Sequence, residues 1–109
     1  MKNVAVVIRR APDGERNTEA LRMSVGLTLA DNRVNVVFLE EGVRTLTPDK
    51  SSAALVRKHL ETLRTLGHRL VADGQALESQ AAGTEFDVEA LNEPEIHSLL
   101  EACDTVISW

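Results

Sequence analysis

Cys103 is the single cysteine of this 109-residue chain, and a thiol is the side chain best suited to act as a nucleophile or a sulfur carrier. It stands in the closing stretch LLEACDTVISW, close to the acidic residues Glu101 and Asp104. Nearby carboxylates and the carboxyl end of a helix both raise the pKa of a thiol. The pattern therefore favours a packed structural cysteine, and a persulfide-carrying Cys103 is the alternative. Three apolar residues precede it at helical spacing and predict one apolar stripe with the sulfur: Ile96, Leu99 and Leu100.

Polar and charged residues also follow each of three apolar runs that have the length of buried strands. Sites in parallel α/β sheets form beyond the carboxyl ends of the strands, so these residues are candidates for a ligand pocket. Arg9 and Arg10, with the start of the following helix, are suited to hold a small oxyanion. Because the same loop carries Asp13 and Glu15, solvated charge or a subunit contact is the alternative. The candidate pocket residues are Arg9, Arg10, Asn17, Glu41, Gly42, Asp73 and Gly74.

Some of these residues have a simpler structural interpretation, and several other types of site are not indicated by the sequence. Asp73 directly precedes a predicted helix, so it has a second interpretation as a helix cap. The pair Glu40–Glu41 suits a solvated turn better than a general acid and base. The chain has no glycine-rich phosphate loop, and its three histidines lack metal-ligand spacing. We therefore expect no metal and no cofactor.

The elements that position these residues alternate between strands and helices. The alternation, with short connections, predicts parallel strands and helices on both faces. We expect a single domain over residues 1–109, a three-layer α/β/α sandwich of Rossmann-like or flavodoxin-like type, with a mostly parallel sheet of about five strands. The predicted strands cover residues 4–8, 34–39, 69–72, 84–88 and 105–109. The predicted helices begin at Asn17, at Thr47–Pro48–Asp49, after Asp73 and at Asn92, and the first three end near Ala30, Gly67 and Ala82.

Composition excludes several partners. The net charge of −5 and an aromatic content of 3% argue against nucleic acid, which needs basic surfaces and stacking side chains. The amino-terminal apolar run has five residues, too short for a signal peptide or a membrane span. We therefore expect a cytoplasmic protein with no membrane contact, in which the thiol stays reduced.

The first helix is apolar beyond one stripe. Leu21, Val25 and Leu29 lie one turn apart, and further apolar residues lie off that line, at Met23, Leu27 and Ala30. A second apolar face predicts packing against another subunit, so we expect a homo-oligomer.

Three stretches resemble the DsrE/DsrF-like family of small sulfur-relay proteins: AVVIRRAP, EALRMSVGLTLADNRVNVVFLEEGV with its Glu41–Gly42–Val43 turn, and DTVISW. The resemblance covers nearly the whole chain. It implies a Rossmann-like fold and assembly into homotrimers or hexamers. It also implies that members of the DsrE and TusD type carry sulfur on a cysteine in a V-x-V-C-G pattern after the third strand. Here that stretch reads LVADG, with Asp73 at the thiol position.

The resemblance implies three functional hypotheses. The preferred one is a non-enzymatic accessory or regulatory subunit of a cytoplasmic sulfur-handling system, either sulfur relay or intracellular sulfur oxidation. Such a subunit would act as an oligomer without carrying persulfide, as DsrF-type partner subunits do, and other sulfur-relay proteins would be its partners. The alternatives are a sulfurtransferase that uses Cys103, and a small-anion or nucleotide-binding protein on the same fold.

Overall fold

The computed structural model describes residues 1–12, 16–48, 50–80 and 86–109. Its five strands form one parallel sheet in the order β4-β3-β2-β1-β5. The strands are β1 Lys2–Ile8, β2 Asn32–Phe38, β3 Arg69–Asp73, β4 Glu89–Leu91 and β5 Thr105–Ser108. The helices are α1 Arg16–Thr28, α2 Ala53–Thr65, α3 Gly74–Ser79 and α4 Glu93–Glu101, with a 3₁₀ segment at Glu40–Leu46. The predicted α/β class and five-stranded parallel sheet are confirmed.

The two faces of the sheet carry separate hydrophobic clusters, because alternate residues of each strand point to opposite sides. On one face, Val6, Val36 and their same-side neighbours pack with residues of α1, α2 and α3. On the other face, three valines contact α4: Val7, Val37 and Val71 meet Ile96 and Leu99. Helices thus flank the sheet on both sides, and the nine-residue helix α4 covers the second face.

Two predicted helix termini, the start at Asn92 and the end at Gly67, are confirmed. Asn92 begins α4 with a capping box, since its side chain accepts from the Glu95 amide while the Glu95 carboxylate accepts from the Asn92 amide. Gly67 ends α2 with a left-handed φ of +84°, and the His68 amide donates to the Leu63 carbonyl at 3.0 Å. This is a Schellman arrangement, which glycine adopts without strain.

Two predicted helix starts are wrong. Asn17 does not cap α1; it lies inside the first turn and is buried. α2 begins at Ala53 rather than near Thr47, because the Thr47 amide bonds to the Arg44 carbonyl and closes the preceding 3₁₀ segment. Asp49 lies outside the described residues.

The fourth strand and the end of α3 also differ from expectation. β4 is Glu89–Leu91, whereas the described part of the predicted segment, 86–88, precedes it without strand structure. β4 begins where the chain starts to pair with β3. Arg69 of β3 holds the two strands together at this point, since its Nε donates to Glu89 Oε2 at 2.9 Å and its Nη2 donates to Glu89 Oε1 at 2.8 Å. α3 ends at Ser79, and the predicted end at Ala82–Gly83 lies outside the described residues.

The predicted apolar stripe of α1 is wrong at Leu29, which is 85% exposed and lies beyond the end of the helix. Leu27 and Met23, assigned to a second face, pack partly against the core of the same chain. The rotation of α1 is set instead by four buried residues: Asn17, Ala20, Leu21 and Ser24. Met23 and Leu27 therefore do not form a separate apolar face for another subunit, and the exposed Leu29 lies outside α1.

His68 extends the β2–β3 ladder with its side chain. The Val34 amide donates to His68 Nδ1 at 3.1 Å, just before the first backbone pair of these strands. Such a bond requires an unprotonated Nδ1. Burial, and then the charge of Arg33, lower the pKa of His68 below its ordinary value.

We expect the free energy of unfolding to fall by about 1 kcal/mol as acidification from neutral pH protonates His68 and breaks this bond. The folded state binds the proton less tightly than the unfolded chain, so this stability is fully present above the unfolded pKa of His68 and is lost as the pH falls through its lower folded pKa. Urea unfolding across this range would measure the loss. His68→Gln should reduce it, since an amide oxygen accepts from Val34 without titrating, and an unchanged pH slope in that variant would contradict the assignment. His59, whose pKa burial also lowers, accounts for part of the remaining slope.

Candidate functional site

The carboxyl end of β1 carries a cavity lined by charged side chains. Its volume is about 620 Å³, and its lining consists of Arg9, Arg10, Ala11, Arg16, Glu40 and Glu41. Three of the seven predicted pocket residues, Arg9, Arg10 and Glu41, therefore share one cavity. Glu40 and Arg16 join them, although the sequence had suggested a solvated turn for Glu40 and no role for Arg16.

Gly42 brings the two walls of this cavity together. Its amide donates to the Arg9 carbonyl at 3.1 Å, while the Leu39 amide donates to the Ile8 carbonyl at 2.9 Å. A Cβ at position 42 would stand 1.9 Å from the Ile8 carbonyl oxygen. The 3₁₀ segment thus lies directly against the end of β1, and only glycine permits that approach.

Asn17 fixes the loop that carries Arg10. Its Nδ2 donates to the Arg10 carbonyl at 2.9 Å and to Thr45 Oγ1 at 2.7 Å. The Arg10 carbonyl is solely an acceptor, which sets the orientation of the carboxamide and commits both amide hydrogens. Asn17 is 2% exposed and therefore acts as a positioning residue rather than as a donor to a bound anion. It also lines a neighbouring cavity of about 570 Å³ with Arg44 and Thr45.

Trp109 fixes the other side of the same region. Its indole Nε1 donates to the Arg16 carbonyl at 2.9 Å. Its backbone continues the β1–β5 pairing, since the Trp109 amide donates to the Val7 carbonyl at 2.7 Å and the Arg9 amide donates to the Trp109 carbonyl at 3.3 Å. No pattern in the sequence predicts this contact, because Arg16 and Trp109 are far apart along the chain.

Asp73 and Gly74 start α3 and are not among the residues that line these two cavities. The Asp73 carboxylate Oδ1 accepts from the Gln75 amide at 3.1 Å, as the cap interpretation predicts. A Cβ at Gly74 would meet the Leu91 carbonyl oxygen at 3.6 Å, an ordinary contact distance. The predicted residues thus divide into a charged cavity after β1, a support formed by Asn17 and Gly42, and a separate capped helix start after β3.

Cys103 lies at the opposite end of the sheet, near the amino ends of the strands. It follows α4, is half-buried, and packs against the cluster that contains Leu99 and Leu100. Its Sγ approaches the Leu99 carbonyl at 3.4 Å, and Asn35 Nδ2 approaches that Sγ at 3.7 Å. Burial, followed by the charge of Asp104, raises the pKa of the thiol, and Arg69 opposes the shift. This environment disfavours a thiolate.

The histidines do not form a site with this thiol. His97 pairs with Glu101 on the surface of α4, while His68 bonds to Val34 and His59 lies along α2. Within the described ranges, no three His, Cys, Asp or Glu side chains come together as possible metal ligands. Among those same residues, no helix has the length and apolar character needed to cross a membrane.

Two solved structures match the whole of this fold. The ychN protein of E. coli matches with a TM-score of 0.84 at 15% sequence identity, covering 100% of both chains. BT1422, a conserved protein of unknown function from Bacteroides thetaiotaomicron, matches with a TM-score of 0.70 at 10% identity, covering 99% of this chain and 95% of its own. No curated protein matches the sequence. The model of the DsrE/DsrF-like family matches residues 2–109, and the chain therefore belongs to that family.

Proposed function

We propose that this protein is a non-enzymatic accessory or regulatory subunit of a cytoplasmic sulfur-handling system, acting as a homotrimer or hexamer without carrying persulfide itself. One observation carries the proposal. Asp73, a carboxylate, is the last residue of β3 and occupies the position at which the sulfur carriers of the family have their thiol, and it caps α3. A carboxylate has no sulfur on which a persulfide can form.

The position of the lone thiol supports the same proposal. To accept sulfur from a low-molecular-weight persulfide, a thiolate must attack the outer sulfur of the donor, form the new S–S bond and release the donor as its thiolate. Cys103 is half-buried, and both burial and Asp104 raise its pKa. A smaller thiolate fraction and limited access both slow that attack.

Exposed apolar surface supports the oligomeric part of the proposal. Beside α4, the second face of the sheet leaves Val106 of β5 48% exposed. Leu29 and Leu66, at the ends of α1 and α2, are more exposed still. Apolar groups at several places on a small protein are suited to contacts with further subunits.

Native mass spectrometry after incubation with glutathione persulfide tests, in one measurement, whether the protein carries persulfide and how many subunits it assembles. We expect no added sulfur on the folded protein, whereas the urea-unfolded protein, treated in the same way, should gain one sulfur at its freed thiol. The subunit count in the same spectra should be a multiple of three. Sulfur added to the native chain but absent in Cys103→Ser would overturn the accessory assignment in favour of a sulfurtransferase. A monomer would contradict the oligomeric assignment.

A matched variant tests whether the residue at position 73 determines whether the native protein takes up sulfur. Asp73→Cys combined with Cys103→Ser moves the single thiol from the amino ends of the strands to the start of α3. We expect this variant to take up one sulfur per subunit in the native state, unlike the wild type. Uptake by the native wild type with none by the variant would contradict the proposed importance of Asp73.

A further inference from the structure

We propose that the cavity at the end of β1 binds a small sugar phosphate of the ribose phosphate class. The guanidinium groups of Arg9, Arg10 and Arg16 would hold the phosphate, and the carboxylates of Glu40 and Glu41 would accept hydrogen bonds from the sugar hydroxyls. This site lies apart from Asp73 and Cys103, so it does not depend on the sulfur-handling role.

The topology of the sheet places the cavity where open α/β sheets bind ligands. β1 lies between β2 and β5, and the chain reaches β5 through α4, which packs on the face opposite α1 and α2. The strand order therefore reverses beside β1. Ligands of such sheets bind outside the carboxyl ends of the strands at that reversal. The cavity lies beyond the carboxyl ends of β1 and β2, directly beside this reversal, since its lining residues follow those two strands.

The charges that line the cavity point to an anion. No ion pair joins Arg9, Arg10 or Arg16 to another residue in the described part of the chain, where the pairs involve other arginines and His97. Three like charges around one cavity raise the local concentration of anions. Guanidinium groups bind phosphate through paired N–H donors, which makes phosphate the best match for the set.

The backbone anchors of the three arginines are fixed. The Arg9 carbonyl accepts from Gly42, the Arg10 carbonyl from Asn17, and the Arg16 carbonyl from the Trp109 indole. The buried Asn17 and the half-buried Trp109 thus use their side-chain N–H groups to hold the Arg10 backbone and the start of α1. Anchors fixed before binding reduce the entropy lost when a ligand is bound.

The acidic wall distinguishes a sugar phosphate from a simple anion. Glu40 and Glu41 repel free phosphate, but a carboxylate accepts hydrogen bonds from hydroxyl groups. In Rossmann-type sites an acidic residue holds ribose hydroxyls, and a phosphate group lies at the start of the first helix. Glu40 follows β2 closely and has a left-handed φ of 52°, a conformation costly for a non-glycine residue and frequent at functional sites. The volume of about 620 Å³ lies within the range of metabolite pockets.

Isothermal titration calorimetry with ribose 5-phosphate, inorganic phosphate and ribose tests this inference. Ribose 5-phosphate should bind with a Kd below about 1 mM, the upper end of the usual metabolite range. Inorganic phosphate should bind at least about tenfold more weakly, and ribose more weakly still, because each lacks one half of the contacts. Equal affinity for phosphate and ribose 5-phosphate would overturn the sugar assignment, and no binding of either would overturn the site.

Substitutions at two exposed residues of the cavity, compared with substitutions at two exposed control residues elsewhere, test the location of the site. Arg10→Gln should weaken ribose 5-phosphate at least about tenfold, and Glu41→Ala should weaken it similarly while leaving phosphate unchanged or tighter. The controls Arg33→Gln and Glu61→Gln, on β2 and α2, should leave both affinities unchanged. A loss in either control as large as in its cavity partner would contradict the proposed location.

Discussion

Replacing Gly42 with alanine is expected to destabilise the protein by about 3 kcal/mol or more, the largest effect of an added methyl group at any glycine that the structure describes. The added Cβ would stand 1.9 Å from the Ile8 carbonyl oxygen and 2.6 Å from its carbon. Both atoms are backbone atoms at the end of β1, an interior strand of the sheet, so the 3₁₀ segment must move. That movement breaks the hydrogen bonds from Gly42 to Arg9 and from Leu39 to Ile8.

Gly26→Ala is the matched control, since it adds the same methyl group at another glycine. Nothing lies within 4 Å of a Cβ at this exposed position inside α1. Alanine is the better helix former, and the variant should gain about 0.5 to 1 kcal/mol. Urea unfolding of the two variants measures the contrast. Equal stability of Gly42→Ala and the wild type would show that the 3₁₀ segment can shift without cost.

Replacing Asn17 with alanine is expected to cost about 2 to 3 kcal/mol of unfolding free energy. The carboxamide donates to the Arg10 carbonyl and to the Thr45 hydroxyl in a buried environment. Its removal leaves the Arg10 carbonyl without this donor, and it opens space beneath the loop. Buried polar groups that lose their partner bear the full cost of desolvation.

Thr45→Val separates the two bonds of Asn17. Valine has nearly the shape of threonine but removes the hydroxyl acceptor, while the bond to Arg10 stays in place. We expect a loss of about 1 kcal/mol, clearly less than for Asn17→Ala. Chemical denaturation of both variants gives the comparison. A loss in Thr45→Val as large as that in Asn17→Ala would mean that the bond to Arg10 contributes little.

Continuous apolar runs predicted three strands of the sheet well. VAVVI lies wholly in β1 and is buried throughout, because a strand covered on both faces buries successive side chains. VNVVFL lies in β2 except for Leu39, which follows the strand, and RLVA lies in β3 with Arg69 exposed. β4 was misplaced because it is a three-residue edge strand with no buried side chain. Its position follows from the Arg69–Glu89 pair, which joins residues twenty positions apart.

Local chemistry also predicted the ends of helices wherever the end depends on a bond to its own helix or on a glycine backbone. Asn92, Asp73 and Gly67 all act as their residue types suggest. Asn17 has an equally good capping side chain, yet its amide hydrogens go to Arg10 and Thr45. Bonds to other elements override a local preference, and the sequence alone does not reveal them.

By itself, the sequence determined the α/β class, the buried strands, the capping of α3 and α4, and the position of Asp73 where β3 meets α3, because these follow from periodicity and from contacts between near neighbours. The strand order, and with it the cavity after β1, was decided by tertiary structure. Arg9, Arg16 and Glu40 meet there because Gly42 approaches Ile8 and because Trp109 bonds across to α1. Such long-range contacts depend on how the elements pack, and no spacing along the chain encodes them.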